Sequence, residues 1–246
     1  MALVILSLPA WLQARQPGGA PQGLENEQSL TERYGYVVED VLRLCRPQKG
    51  FWIDLGAGKG GVALALAKAI DNPVLMVDPD QEALAAGLQA AREQALSHRL
   101  SAVVGSAESL PFPDNSADLV VSRGSIFFWQ DPVLGLREVL RVLRPGGKAY
   151  IGGGAGSGYP KADVAKLIQQ RKEKMQGDEA EKWNRFVELR RPEQMRKWAQ
   201  GAELPRFEVL GQGAISDDPQ IGQGVWLVFE KPDPPPAKDP GSADAR

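Results

Sequence analysis

Short apolar runs and helical spacings alternate between residues 50 and 154. Phe51–Leu55 reads as a buried strand, and the glycines behind it open a helix through Val62–Ile70. Val74–Val77 predicts a second strand, Gln81–Leu96 an alanine-rich helix, and Leu100–Val104 a third strand. The turn-forming PFPDNS announces a fourth, Asp118–Ser122. Val133, Leu136, Val139, Leu140 and Leu143 recur at helical spacing, so Pro132–Leu143 is a helix. The RPGG of residues 144–147 stops it, with Gly146 and Gly147 as the turn, and Lys148–Ile151 follows as a fifth strand. This is the rhythm of βαβ units, and it predicts an open, mostly parallel sheet with helices on both faces.

Beyond that point the rhythm breaks. Residues 161–189 form a polar, helix-prone stretch in which Lys and Arg mix with Glu, the pattern of a solvated helix face. A helix over Pro192–Gln200 leads to a strand at Arg206–Leu210, and Val225–Phe229 is the final apolar run. The uncharged stretch Met1–Ala14 has no basic residue before it and is too short to span a bilayer. It is expected to be a short helix or arm lying on the domain rather than an export signal. KPDPPPAKDPGSADAR at the other end is rich in proline and charge and is expected to be a disordered tail. The resulting organisation is an arm and helix over 1–49, a domain over 50–231 with a helical insert at about 155–205, and a tail over 232–246.

Composition narrows the function classes. The 246 residues are 43% hydrophobic, enough for one large core. The 29 basic and 31 acidic residues nearly balance, which argues against non-specific nucleic-acid binding. One cysteine, Cys45, cannot form an internal disulfide, and one histidine, His98, cannot build a His-based metal site. A cytoplasmic protein without a metal or a membrane anchor is expected. His98, distant from the motifs, is expected to be a surface residue.

The chemistry concentrates in FWIDLGAGKGG, residues 51–61. Gly56, Gly58 and Gly61 satisfy G-x-G-x-x-G, the dinucleotide fingerprint. Asp78, 22 positions after Gly56, ends the second strand, where a carboxylate accepts from ribose hydroxyls. Those features suit NAD as well as other nucleosides. Asp54 separates the cases, because a pyrophosphate beside it meets a like charge at a cost of about 1–4 kcal/mol. A ligand carrying a sulfonium and an ammonium is attracted instead. S-adenosylmethionine has both, with an adenosine for Asp78 and a carboxylate for the N–H groups of the glycine loop.

DLGAGKG (54–60), VDPD (77–80), GSAESLPFPDNSADLVVSRG (105–124) and LREVLRVLRPGGKAYIGGG (136–154) occur in that order. Together they resemble the class I S-adenosylmethionine-dependent methyltransferases, most closely the small-molecule, methyltransferase type 11-like branch. The resemblance covers about residues 50–154. It implies a Rossmann-like, doubly wound, mostly parallel seven-stranded sheet with an antiparallel final strand. It implies transfer of a methyl group from S-adenosylmethionine to a small-molecule acceptor. It places Asp54, Gly56, Ala57 and Gly58 along the methionine part of the cofactor, Asp78 on the ribose, and Pro79 beside the adenine. Ser106 stands where the family pattern has an acidic residue for the adenine amino group; its hydroxyl accepts without charge assistance. Ala107 offers its backbone N–H to the ring, Glu108 is counted with them, and Ser122 and Arg123 approach from the other side.

Plainer roles compete at several of these positions. Asp54 also suits a helix cap, and Asp80 reads as the N-cap of the helix at Gln81. In SIFFWQD, residues 125–131, at least one aromatic is core packing, while Phe128 and Trp129 are candidates for the acceptor pocket. Tyr36, with Tyr34, lies on the segment that closes the site in the family. GGGAGSG, residues 152–158, lacks P-loop spacing and suits a hinge or a close backbone approach. Asp131, Glu108 and Tyr159 are candidates for a general base, and none stands out. No N-P-P-[FYW] segment follows the fourth strand, so transfer to an amide or exocyclic base nitrogen is disfavoured. Two other classes stay open: a non-catalytic S-adenosylmethionine-binding or partner-docking protein, and an NAD-dependent oxidoreductase.

Overall fold

The structure is a computed structural model that describes residues 27–160, 162–163, 169, 181, 185, 187–213 and 224–234. The expected arm over 1–26, most of the insert and the tail beyond 234 lie outside the described residues. The strands are β1 (Trp52–Leu55), β2 (Val74–Asp78), β3 (Leu100–Val104), β4 (Ala117–Arg123), β5 (Leu143–Gly153), β6 (Phe207–Gly213) and β7 (Gly224–Glu230). The helices are α1 (Glu27–Cys45), α2 (Gly61–Ala69), α3 (Gln81–Glu93), α4 (Pro132–Val142) and α5 (Pro192–Gly201).

The seven strands form one sheet in the order β3-β2-β1-β4-β5-β7-β6. β1 to β5 run parallel, whereas β7 is antiparallel to both β5 and β6. The strand order reverses between β1 and β4, so a crevice opens beyond their carboxyl ends. The period of two along β1 sorts its residues between two cores. Ile53 and Leu55 face the core shared with α4 and α5, where Leu136, Val139, Met195 and Ala199 are buried. Trp52 faces the opposite core with Val37 and Val41 of α1 and Val62 and Leu66 of α2. Asp54 has the parity of Trp52, which turns its carboxylate toward α2.

Several boundaries differ from the sequence pattern, and two of them have a visible cause. α3 stops at Glu93 rather than Leu96, because Ala95 takes a left-handed φ of 57° and the Leu96 N–H closes onto the Ala91 carbonyl. β5 begins at Leu143 rather than Lys148, with a register shift against β4 between Ala117 and Leu119. The RPGG turn, with Gly146 at φ 74°, is held there by reciprocal backbone bonds between Gly146–Gly147 and Lys231. The periodicity cannot show that partner, which lies at the far end of the chain.

The glycine run after β5 serves close approach. A Cβ at Gly152 would strike the Val225 carbonyl oxygen of β7, and one at Gly156 the Tyr36 backbone of α1. Among the described residues, no helix is long and apolar enough to cross a membrane.

Candidate functional site

The turn after β1 is built by glycines with left-handed backbone. Gly56 (φ 68°) leaves room for Ser125, whose side chain occupies the space a Cβ would need. Gly60 (φ 75°) is the N-cap of α2. Gly58 (φ 51°) is different: nothing lies within 4 Å of where its Cβ would be, so its open side faces the crevice. Gly124 (φ 87°), across the crevice at the end of β4, is open in the same way.

The first three N–H groups of this loop are engaged within the protein. Gly56 and Ala57 both donate to the Val77 carbonyl, at 2.7 and 3.1 Å, and Gly58 donates to Asp78 Oδ2 at 2.8 Å. β2 therefore takes the donors at the start of the turn that G-x-G-x-x-G would offer a pyrophosphate.

Two carboxylates flank the turn. Asp54 is 2% exposed, and its Oδ2 accepts from the Ala63 N–H at 2.9 Å in the first turn of α2. It thus caps the helix from a neighbouring strand. Burial pushes its carboxyl up to about 7, against the opposing pull of that N–H. Asp78 is half-buried, and its Oδ1 accepts from the Asp80 N–H at 2.8 Å. Burial raises its pKa as well. Each Asp78 oxygen carries one protein donor and retains acceptor capacity for a diol. Pro79 is exposed beside it, and Asp80 caps α3 through the Ala83 N–H.

The loop after β3 lies next along the sheet. Gly105 donates to the Asp78 carbonyl at 3.2 Å, which puts Ser106 beside the end of β2. The Ser106 hydroxyl donates to Glu108 Oε2 at 2.8 Å and accepts the Glu108 N–H at 3.3 Å. Glu108 Oε1 accepts from the N–H groups of Gln130 and Asp131, at 2.8 and 3.3 Å. Ala107 is buried between them.

On the far side Ser122 is fully buried, and its hydroxyl pairs with that of Ser125 at 2.6 Å. It does not reach the crevice as the sequence suggested, because one position of strand period turns it inward. Ser125 takes the rim position instead. Its hydroxyl also meets the Leu55 carbonyl and the Trp129 indole N–H. No sequence signal marked Ser125, since its partners are 70 and 4 residues away. Arg123 Nε donates to the Gly154 carbonyl at 2.9 Å, and its guanidinium lies 4.9 Å above the Tyr34 ring. The same ring covers Gly61, closing the glycine turn from the side of α1.

The aromatic segment divides. Phe127 is buried core, with Arg190 stacked 4.3 Å over its ring. Trp129 is anchored to Ser125 and packs on Gly135 of α4, so most of its surface serves the structure. Phe128 is half-buried against the core shared with α4 and α5. Tyr36 meets Tyr159 edge to face at 5.5 Å, joining α1 to the loop behind β5.

None of the three candidate bases presents itself as one. Asp131 caps α4, accepting from Val133 and Leu134; Glu108 is a clasp; Tyr159 is buried against Tyr36. Cys45 is buried and its thiol is pushed up to about 12 by desolvation. His98 is exposed beside Arg99. Among the described residues, no group of three or more His, Cys, Asp or Glu could hold a metal.

The fold is Rossmann-like, with its crevice at the point where the strand order reverses. Residues 53–151 match the family described as "Methyltransferase domain". Rice (Oryza sativa subsp. japonica) 2-methyl-6-phytyl-1,4-hydroquinone methyltransferase 1 is 37% identical over 100 residues, 40% of this chain and 29% of that protein. The ubiquinone/menaquinone biosynthesis C-methyltransferase of Rubrivivax gelatinosus is 41% identical over 109 residues, 44% of this chain and 41% of that protein. The aligned region thus spans well under half of either relative. A Methanococcus maripaludis structure assigned as an S-adenosyl-L-methionine-dependent methyltransferase superposes with a TM-score of 0.69 at 26% identity, covering 88% of this chain and 99% of its own. Residues 53–151 thus match a methyltransferase domain, on a fold shared with a structure of the S-adenosyl-L-methionine-dependent methyltransferases. The residues fit S-adenosylmethionine as the cofactor: two carboxylates for a cation and a diol, an open Gly58, and the Gly56, Ala57 and Gly58 N–H groups already bonded within the protein.

Proposed function

We propose that this chain methylates a small-molecule acceptor from S-adenosylmethionine. The observation that carries the reading is the state of the glycine turn. The N–H groups of Gly56, Ala57 and Gly58 are spent on Val77 and Asp78, while Asp54 and Asp78 supply negative charge beside the open Gly58. That arrangement disfavours NAD and favours a cationic nucleoside.

Bound S-adenosylmethionine supplies an electrophilic methyl group on a sulfonium. The chain's own part is to orient and to exclude water. Asp78 takes the ribose hydroxyls. Asp54, ionised above pH about 7, supplies a negative field from beneath the turn. Tyr34 and Arg123 wall the side of α1, and Phe128, Tyr36 and Tyr159 border the acceptor side. Proximity of this kind is worth about 7–11 kcal/mol in favourable cases. Since Asp131 and Glu108 are committed to backbone N–H groups, the acceptor is one that reacts in an already ionised or neutral nucleophilic form.

The test is label transfer from S-adenosylmethionine to a panel of hydroquinones, phenols, thiols and amines. Hydroquinones belong in it because the rice relative is named for one. Label should pass to at least one class, with a rate that rises with pH until the acceptor's own pKa is passed. Binding of S-adenosylmethionine without transfer to any member would replace the enzyme by a cofactor-binding protein.

A further inference from the structure

The glycine turn and the segment that follows β4 meet at one side chain. Ser125 opens a 3-10 turn over Ile126–Phe128, its carbonyl accepting the Phe128 N–H at 2.8 Å. Its hydroxyl has three neighbours whose roles are fixed by their chemistry. The Leu55 carbonyl, 3.2 Å away at the end of β1, only accepts, so it takes the Ser125 proton. The Trp129 indole N–H, at 3.0 Å, only donates. The buried Ser122 hydroxyl, at 2.6 Å, therefore donates to the remaining lone pair. One proton and two lone pairs are all in use, so the Ser125 hydroxyl acts through what it holds rather than on a ligand.

It holds the start of the glycine turn on one side and an indole on the other. Leu55 directly precedes Gly56, and the Ser125 side chain fills the space that a side chain on Gly56 would take. The serine thus braces the turn by a hydrogen bond and by contact. Trp129 is fixed at its other edge by Gly135 of α4, where a Cβ would strike the ring. The indole is a strut between α4 and Ser125.

We propose that Ser125 is a positioning residue for S-adenosylmethionine, and that through it Trp129 responds to occupation of the glycine turn. The proposal rests on the reading of that turn as the cofactor site. A ligand at the open Gly58 loads the turn two residues from the Gly56 contact, and close-packed contacts transmit a shift rather than absorb it. The far end of the segment is anchored separately, by the Gln130 and Asp131 N–H groups on Glu108 Oε1. The shift therefore reaches the indole through Ser125 and not by movement of the whole segment.

The experiment reads the indole N–H signals of the full chain, labelled with 15N-tryptophan, alongside calorimetry with S-adenosylhomocysteine. The chain has six tryptophans, and Trp129→Phe identifies the Trp129 signal by its loss. In wild type that signal should move on saturation with the ligand. Ser125→Ala should weaken binding about three- to tenfold, the reach of one lost hydrogen bond, and abolish the ligand-dependent movement. Ser125→Cys keeps the contact with Gly56 but bonds weakly, and should show the same losses in smaller measure. A wild-type Trp129 signal indifferent to the ligand overturns the proposal. So does an affinity unchanged within about twofold in Ser125→Ala, or in Ser125→Cys should the alanine variant not fold, since the serine would then serve stability alone. Failure of wild type to bind S-adenosylhomocysteine overturns instead the cofactor reading on which the proposal stands.

Discussion

Asp54 illustrates how one side chain serves fold and ligand in opposition. With a carboxyl raised by burial to about 7 from its ordinary 3.8, the folded state holds a proton that the unfolded state releases. The associated stability is present at low pH and is lost as pH rises from about 4 through 7, on the order of 4 kcal/mol. Asp54→Asn keeps an oxygen for the Ala63 N–H and does not titrate. Thermal melts from pH 5 to 8 should therefore show the variant gaining on wild type as pH rises. Affinity for a cationic nucleoside should move the other way, with wild type tightening through pH about 7 and the variant flat. The glycines give a second contrast at this scale. Gly56→Ala forces a left-handed alanine against Ser125 and should cost about 2–3 kcal/mol in denaturant titrations. Gly58→Ala has open space and should cost only about 1 kcal/mol of backbone strain, while obstructing the ligand.

Elements meet at the crevice through contacts that differ in how far the sequence reveals them. The strands and helices between residues 50 and 154 were legible because each buries a regular apolar face, and Asp80 was legible as a cap because its partner is three residues away. Ser122 misled because a polar residue at a strand end can point either way, and only the register shows which. The clasp between α1 and the loop behind β5 left no trace in the pattern. Asp40, 4% exposed, accepts the Ser157 N–H at 2.6 Å and the Ser157 hydroxyl at 2.5 Å, across 117 residues. Arg43 shares the same carboxylate at 2.7 Å. Asp40→Ala strands these donors and should cost about 1–3 kcal/mol. Hydrogen exchange should rise in α1 and in residues 155–159 together. A rise confined to one of the two would show that the clasp does not join them.

At the scale of the whole molecule, the strand order brings four loops from distant parts of the chain to one edge. The reversal between β1 and β4 opens the crevice, the antiparallel β7 closes the sheet beside β5, and α1 lies over the glycine turn. The same assembly sets β2 against the glycine turn, with Val77 and Asp78 accepting from Gly56, Ala57 and Gly58. The most direct measurement is calorimetric titration with S-adenosylhomocysteine, using NAD and the Asp78→Ala variant as controls. Micromolar binding by wild type, abolished or strongly weakened in the variant and absent for NAD, is the predicted result. Binding of NAD, or S-adenosylhomocysteine binding that survives Asp78→Ala unchanged, would contradict the account.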